Sequence, residues 1–468
     1  MRQRAVFCLA MVALLASAFS SPTSGQQAPA GRAGGAGAPG GRQGGPPPVQ
    51  LPEGAGREQA QAACTRCHGL NLIAGSWGYT KDGWQDRIAT MVTLPAPELE
   101  TISSYLATHY PIKDVPGAVL ISGPATVTIK EWLAPTLGSR PHDSHAAADG
   151  SIWWTGQWAD KLGRLDPRTG QIREFDLPAK SQPHGLAEDP QGNIWYTGIQ
   201  KGVIGRLDPR TGQVREYPIN EPGARGPHTP ILDTRTGNLF FTLQSGHVGR
   251  INTASGEIVI KKTPSDNTYP YGIRLNSQGV PWYVDFRGNR VGSVDPRTME
   301  IREFTLPSAD ARPRRLTITP DDVIWYSDFA RGTLGRFDPR TEKFTYWDTP
   351  GPKYPGTARE TGSTEYPYFL WVDQFDALGM GKNTVIVTGT SSDAMFMFDP
   401  KTEKFTSFRM PNPMPFFTRG LDGRIDNAGA GWKGRGLWAS FNSYLPKYSE
   451  TRIGYVSHIQ LRPNPLAN

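Results

Sequence analysis

From about residue 126 onward the chain is a succession of short apolar and aromatic runs separated by polar turns, and the runs return in the same order. The clearest copy is Asn193 to Tyr217, NIWYTGIQKGVIGRLDPRTGQVREY, with two runs across a short polar gap, an Asp-Pro-Arg-Thr-Gly turn, and a third run. A Pro-x element precedes an aromatic pair by twelve residues from Pro141 to Trp153, Pro183 to Trp195, Pro270 to Trp282 and Pro313 to Trp325, and by thirteen from Pro227 to Phe240. Pro367 to Val387 and a divergent copy from Phe417 to Trp438 carry insertions. The turn recurs at Asp166-Pro167, Asp208-Pro209, Asp295-Pro296, Asp338-Pro339 and Asp399-Pro400. Short apolar runs bounded by Gly, Pro, Asn and Asp predict strands. Seven copies of about four strands, at a period of about 42 residues, predict an all-β seven-bladed propeller over 126–462.

A propeller ring must close. The last copy, ending Ile453-Gly454-Tyr455-Val456, lacks an outer strand, whereas VTIKEWLAP at 127–135 reads as an outer strand with no blade before it. Strand 127–135 is therefore predicted to complete the seventh blade.

The first quarter of the chain has a different pattern. Residues 1–18 read as a signal peptide: Arg2 and Arg4, an apolar Ala5–Leu15, then Ala16-Ser17-Ala18 as a cleavage site. That run is too short to span a bilayer, so no membrane span remains after cleavage, and Cys8 is lost with it unless the segment stays on as an anchor. Residues 19–56 are rich in Gly, Pro and Ala and predict a disordered linker. Residues 57–112 switch to helical spacing, with helices expected over 57–67, 82–92 and 97–109. Trp84, Ile88 and Met91 share one face, and Leu99, Ile102, Tyr105 and Leu106 form a stripe on the last helix. This small all-α segment makes a weak core by itself. Residues 113–125 read as a second linker.

Charge narrows the partners. Lys+Arg 50 against Asp+Glu 43 gives a net +7, spread without a basic run. This argues against nucleic acid and suits a mildly basic exported protein that meets acidic redox partners.

The helical segment contains Cys64-Thr65-Arg66-Cys67-His68. Two thiols three residues apart can each add to a haem vinyl group while the adjacent imidazole ligates iron. Cys64 and Cys67 are therefore the expected attachment points of a haem c, and His68 its proximal ligand. With this motif the segment resembles a small class I c-type cytochrome. That resemblance implies a later Met as second axial ligand, and Met91 is the best match; His109 is the alternative. Met ligation favours a relatively high potential and electron transfer.

At the level of IWYTGIQKGVIGRLDPRTGQVREY the repeats resemble the virginiamycin B lyases, seven-bladed propellers whose blades read roughly LWFTE, IGRI, ITEFPLP. The resemblance spans about Thr126 to Leu461 and implies a metal held by His and Glu at one mouth of a central funnel. The Pro-His part is present at His142, His184 and His228, whereas Tyr271 and Arg314 stand at the next two His positions. The Glu positions hold Gly156, Gly198, Asp285 and Asp328, with Leu243 or Gln244 in the third blade. His142, His184, His228, Tyr271, Arg314, Asp285 and Asp328, with Arg419 as a further candidate, are expected to line a polar funnel. That lining reads as a pocket for a small polar or anionic substrate or a divalent metal, or as a solvated channel mouth. The recurring Trp and the Arg after Gly read as scaffold.

The sequence thus predicts an exported, periplasmic two-domain protein: a monohaem cytochrome that exchanges single electrons with a periplasmic donor or acceptor, joined to a propeller. The propeller binds a small polar substrate or a redox partner, acts as a metal-dependent streptogramin lyase, or serves as a docking surface in a respiratory assembly.

Overall fold

The computed structural model describes residues 50–66, 70, 73, 80–89, 92, 94–111, 119–121, 125–136, 139–350, 367–374, 381–389, 394–409, 416–422, 437–443 and 454–463. The expected signal peptide, Cys67, His68 and Met91 lie outside these residues. No helix among the described residues is long and apolar enough to cross a membrane.

From Pro141 the chain lays down six four-stranded antiparallel sheets. Their first strands are Pro141–Ala146, Pro183–Glu188, Pro227–Asp233, Pro270–Leu275, Pro313–Ile318 and Pro367–Asp373. The seventh sheet runs in the order Phe416–Asp422, Leu437–Ser443, Gly454–Pro463, Ala125–Leu133 and Val119–Ile121. Each first strand packs against the first strand of the next blade, and Phe416–Asp422 packs against Pro141–Ala146, so the ring closes. The closing pair is antiparallel, from Ala125 opposite Pro463 to Leu133 opposite Tyr455. Region 113–125, read as linker, contributes the apolar strand Val119–Ile121, which covers the edge that Ala125–Leu133 would otherwise expose.

Within a blade, one side-chain device repeats. The second aromatic of the second strand lies over the glycine of the third. A Cβ on Gly205 would come within 2.0 Å of Tyr196 Cζ, and Trp154 over Gly163, Phe241 over Gly249, Tyr283 over Gly292 and Tyr326 over Gly335 leave as little room. The first aromatic fills the seam between blades. Trp153 packs among Ile194, Tyr196 and Leu207 of the next sheet, and Trp195 among Leu239 and Phe241. Trp282 and Trp325 do the same two and three blades further on. Full burial of such a side chain is worth about 1.5–3 kcal/mol, so the recurring Trp positions hold neighbouring blades together. Arg164 and Arg250 also make framework contacts, to Asp149 at 2.9 Å and to the Pro296 carbonyl at 2.8 Å.

The helical segment has helices α1 (Arg57–Cys64), α2 (Lys81–Ala89) and α3 (Ala96–His109). Ala60, Trp84, Ile88, Ile102, Tyr105 and Leu106 form its buried core, with Leu99 half-buried against it. α1 is shorter than the expected 57–67, because the Thr65 N–H and hydroxyl both donate to the Gln61 carbonyl and close the last turn. α2 likewise stops short of 92, although Val92 N–H still reaches the Ile88 carbonyl. The expected linker 19–56 also ends early. Leu51 is buried in the helical core, and the Pro52 carbonyl accepts the Tyr105 hydroxyl at 2.6 Å.

Candidate functional site

The first strands of six blades start at a proline, which has no N–H to lose at that position, and that of the seventh starts at Phe416. A bulge follows. From Pro183 to Leu186 the strand advances three residues while its partner advances two, Gly198 to Tyr196. One extra residue appears near the start of the first strand in all seven blades. The bulge breaks the two-residue alternation of a strand, so side chains at both positions after the proline can face the same way.

The first of those positions builds a continuous stack. His142 and His184 rings are 3.9 Å apart, His184 and His228 3.7 Å, and His228 and Tyr271 3.8 Å. The Arg314 guanidinium continues it, 5.2 Å from the Tyr271 ring and 4.2 Å from the Tyr368 ring, with Phe286 and Phe329 also facing it. The structure therefore brings together His142, His184, His228, Tyr271 and Arg314, and adds Tyr368. None of the six is more than 6% exposed. These side chains are therefore shielded from solvent, with neighbouring rings tilted 40–48° against one another. Arg419 falls on the strand Phe416–Asp422.

The second position adds residues the sequence reading passed over: Asp143, Thr229 and Arg315. Asp143 Oδ1 is 2.9 Å from His142 Nδ1 and 3.6 Å from Arg315 Nη2. Arg315 Nη1 donates to Thr229 Oγ1 at 2.7 Å, and Thr229 Oγ1 is 2.8 Å from His228 Nδ1. Arg315 Nη2 donates to the Tyr368 hydroxyl at 3.4 Å. Burial disfavours the charge on Arg315, but the oxygens of Tyr368 and Asp143 outweigh this and hold it protonated. Burial, then His184 and the two arginines, push the His228 pKa well down, so its imidazole is neutral. Burial pushes the Tyr271 hydroxyl up against the opposing pull of Arg314.

A hydroxyl on the second strand fixes this arrangement. Thr155 Oγ1 accepts the Asp143 N–H at 3.1 Å and donates to the His184 carbonyl of the next blade at 2.9 Å. Thr197 serves Gly185 and the His228 carbonyl, Thr242 serves Thr229 and the Tyr271 carbonyl, and Ser327 serves Arg315 and the Tyr368 carbonyl. The Thr of the WYTG run is the visible sequence signal for this link, and Val284 breaks the series in the fourth blade.

Asp285 and Asp328 take a different role. Asp285 Oδ1 accepts the Tyr269 N–H at 2.7 Å, and Oδ2 pairs with Arg290 at 3.2 Å. Asp328 Oδ1 accepts N–H groups of Arg312 at 2.9 Å and Arg331 at 3.3 Å. Both carboxylates tie down the backbone entering their own blade's first strand. Burial raises the Asp328 pKa to about 6. The other expected Glu positions are tight: a Cβ on Gly198 would meet Val203 Cγ2 at 2.6 Å, and one on Gly156 the Lys161 Cβ at 3.4 Å. Of the other imidazoles, His145 pairs with Glu188 at 3.5 Å, and His247 Nδ1 lies 3.1 Å from the Ser245 hydroxyl.

His142, Asp143 and His184 each offer an atom within 4.8 Å of the others, a donor set of the type that holds a divalent metal. They do not fit that use as arranged. His142 and Asp143 are bonded to each other, and the Arg315 guanidinium stands 3.6 Å from the same carboxylate oxygen. The position beside the carboxylate already has a cation from the chain.

The fold and site define a seven-bladed propeller with a buried, cationic and aromatic axial cluster. The Virginiamycin B lyase family matches residues 123–354. A streptogramin B lyase structure shares 21% identity and covers 73% of this chain and 100% of its own, with a TM-score of 0.58. Virginiamycin B lyase from Staphylococcus aureus shares 20%, covers 70% and 99%, and gives 0.57. Hydrazine synthase from Kuenenia stuttgartiensis has a similar fold at 10% identity, covering 70% and 97%, with a TM-score of 0.53. No curated protein sequence matches the chain. The propeller is therefore virginiamycin B lyase-like.

Proposed function

We propose that the protein is an exported monohaem c-type cytochrome that transfers single electrons, with a lyase-like propeller as its binding module. The observation that carries this is the Cys64-Thr65-Arg66-Cys67-His68 motif, entered from the end of α1. Cys64 is half-buried against the apolar helical core, with half-buried Leu70, Leu94 and Leu99 beside the same core. That incomplete apolar cover fits a bulky flat group attached at Cys64. Cys64 and Cys67 would hold the haem covalently, His68 would ligate its iron, and Met91 would be the second ligand. The haem supplies reversible one-electron chemistry, and the chain supplies attachment, apolar shielding and a partner surface.

The lyase reading has less support. Two of the positions at which that family places Glu are Gly156 and Gly198, and the two that hold an acid, Asp285 and Asp328, are taken up by backbone N–H groups. The test is spectroscopic. Protein exported from cells competent to attach haem should show a covalent haem spectrum, lost in Cys64→Ala/Cys67→Ala. A haem band that survives that substitution and denaturing extraction would overturn the proposal.

A further inference from the structure

Among the described residues, six blades end on a fourth strand with a free edge, and the seventh does not. There the apolar strand Val119–Ile121 lies along Ala125–Leu133, with Val119 opposite Ile129 and Ile121 opposite Val127. One outer edge of the ring is thus already covered by a short added strand. The outer strand of the third blade, Ile258–Lys262, is close to the covered one in sequence. Its IVIKK shares the Ile-Lys step of VTIKE at 127–131, whereas IREFD, VREYP and IREFT carry Arg-Glu at their second and third positions. Ile258, Val259 and Ile260 are consecutive, uncharged and half-buried. Such a run of β-branched residues on an open edge is a template for another strand.

The ladder shows which backbone groups are open. Asn252 N–H donates to the Glu257 carbonyl at 2.9 Å, and Thr263 N–H to the Gly246 carbonyl at 3.0 Å. Between them Arg250 faces Val259 and Val248 faces Lys261. Bonded and unbonded pairs alternate in an antiparallel ladder, so Val259 and Lys261 bond inward. Ile258, Ile260 and Lys262 therefore turn their N–H and C=O groups outward. The side chains divide in the same rhythm. Val259 packs with the fourth blade, and Ile258 and Ile260 pack with the second, beside Tyr217. Ile258 and Ile260 form one wall of a groove of about 570 Å³, with Tyr217 and Pro218 on the other. Lys261 and Lys262 are exposed; Lys262 pairs with Asp266 at 3.2 Å, and Lys261 has no ion pair among the described residues.

We propose that Ile258–Lys262 is a docking edge for an extended strand of a partner protein, apolar at alternate positions and acidic beside Lys261. This rests on reading the propeller as the binding module and names its partner's chemistry. The partner strand bonds to the outward groups of Ile258, Ile260 and Lys262 and lays its apolar side chains in the groove. Its carboxylate falls on the opposite face, against Lys261.

The test uses the full-length protein and two synthetic peptides, acetyl-Ser-Glu-Val-Thr-Val-Thr-amide and the same peptide with Lys in place of Glu. Amide hydrogen exchange is followed at single-residue resolution. In the protein alone, Ile258, Ile260 and Lys262 should exchange fast, and Val259 and Lys261 slowly. Saturating Glu peptide should slow the first three about tenfold or more and leave the other two unchanged, the alternation that strand addition produces. The Lys peptide should bind about threefold more weakly or worse, because like charges then meet at Lys261. Ile260→Lys puts a charge into the groove and should remove the protection. The peptide pair keeps the proposal falsifiable if that variant fails to fold. Unchanged exchange with the Glu peptide, equal binding of both peptides, or protection in Ile260→Lys equal to the parent's would each overturn it. So would protection of the three edge amides that grows with protein concentration in the absence of peptide, which would assign the edge to a second copy of the chain. Haem absorbance of the same samples reports the cytochrome reading separately, so either reading can fail alone.

Discussion

Asp328 is 3% exposed, and its Oδ1 accepts two backbone N–H groups, while the nearby Arg331 pairs with Asp310 at 3.3 Å. Burial raises its pKa from 3.8 to about 6. The native state therefore holds this proton more tightly than the unfolded chain. The stabilisation is fully present below the unfolded value and is lost as pH rises through about 6, costing on the order of 3 kcal/mol by pH 8. His228 acts in the opposite sense: its lowered pKa costs stability as pH falls below the ordinary 6.5. Asp328→Asn isolates the first effect, because the amide oxygen can still accept both N–H groups. The variant should be about 1–3 kcal/mol more stable than the parent to urea at pH 8 and about equal at pH 4; parallel curves would contradict the assignment. The His stack was legible because Pro-His recurs at one repeat position. Arg315 and Asp143 were not, since strand alternation sends adjacent residues to opposite faces and only the bulge brings both inward. The backbone contacts of Asp285 and Asp328 were not legible for a related reason. Their register at the end of the second strand was right, but nothing in the sequence says that a carboxylate turns back to its own blade's backbone.

At the scale of the strand, the aromatic-over-glycine pair sets how tightly a blade packs. Tyr196 is fully buried, and a methyl on Gly205 would sit 2.0 Å from its Cζ and 2.4 Å from its hydroxyl oxygen. The ring cannot step aside, because it is also packed among Trp153, Leu186 and Leu207. Gly205→Ala should therefore destabilise the propeller by about 2–4 kcal/mol in urea unfolding, near the upper end for an overpacked core. Gly202→Ala is the matched control: its Cβ meets nothing within 4 Å, so only its positive φ of 72° is strained, and the loss should be smaller. Equal losses would mean that backbone strain, not the ring, sets the cost. The repeat period and strand identities were readable from alternating apolar runs. The helix ends were less so, because the stop at Cys64 depends on a Thr65 hydrogen bond that helical spacing does not encode.

For the whole molecule, stability depends on joining the two ends of the array. Ala125–Leu133 lies between Gly454–Pro463 and Val119–Ile121 in one sheet, so it is an interior strand although it comes from the other end of the propeller sequence. Ile129 is buried and pairs with Ile459 on one side and Val119 on the other. A proline there removes a ladder donor, and an interior strand has no solvent side on which to lose it. Ile129→Pro should cost about 3 kcal/mol or more and act on closure, not on any single blade. Every blade from the first to the sixth keeps its own four strands, so the far-ultraviolet β signal should persist. What should change is cooperativity: a shallower urea transition, with protease cutting first near the C-terminal strand. Refolding of the parent should be slow for the same reason, since this pairing must wait for the most distant contacts in the array. If Ile129→Pro instead unfolds in one sharp transition at a lower midpoint, the blades are not separable units and closure is not the last step. That result would move the source of stability from the closing strand to the Trp-filled seams between neighbouring blades.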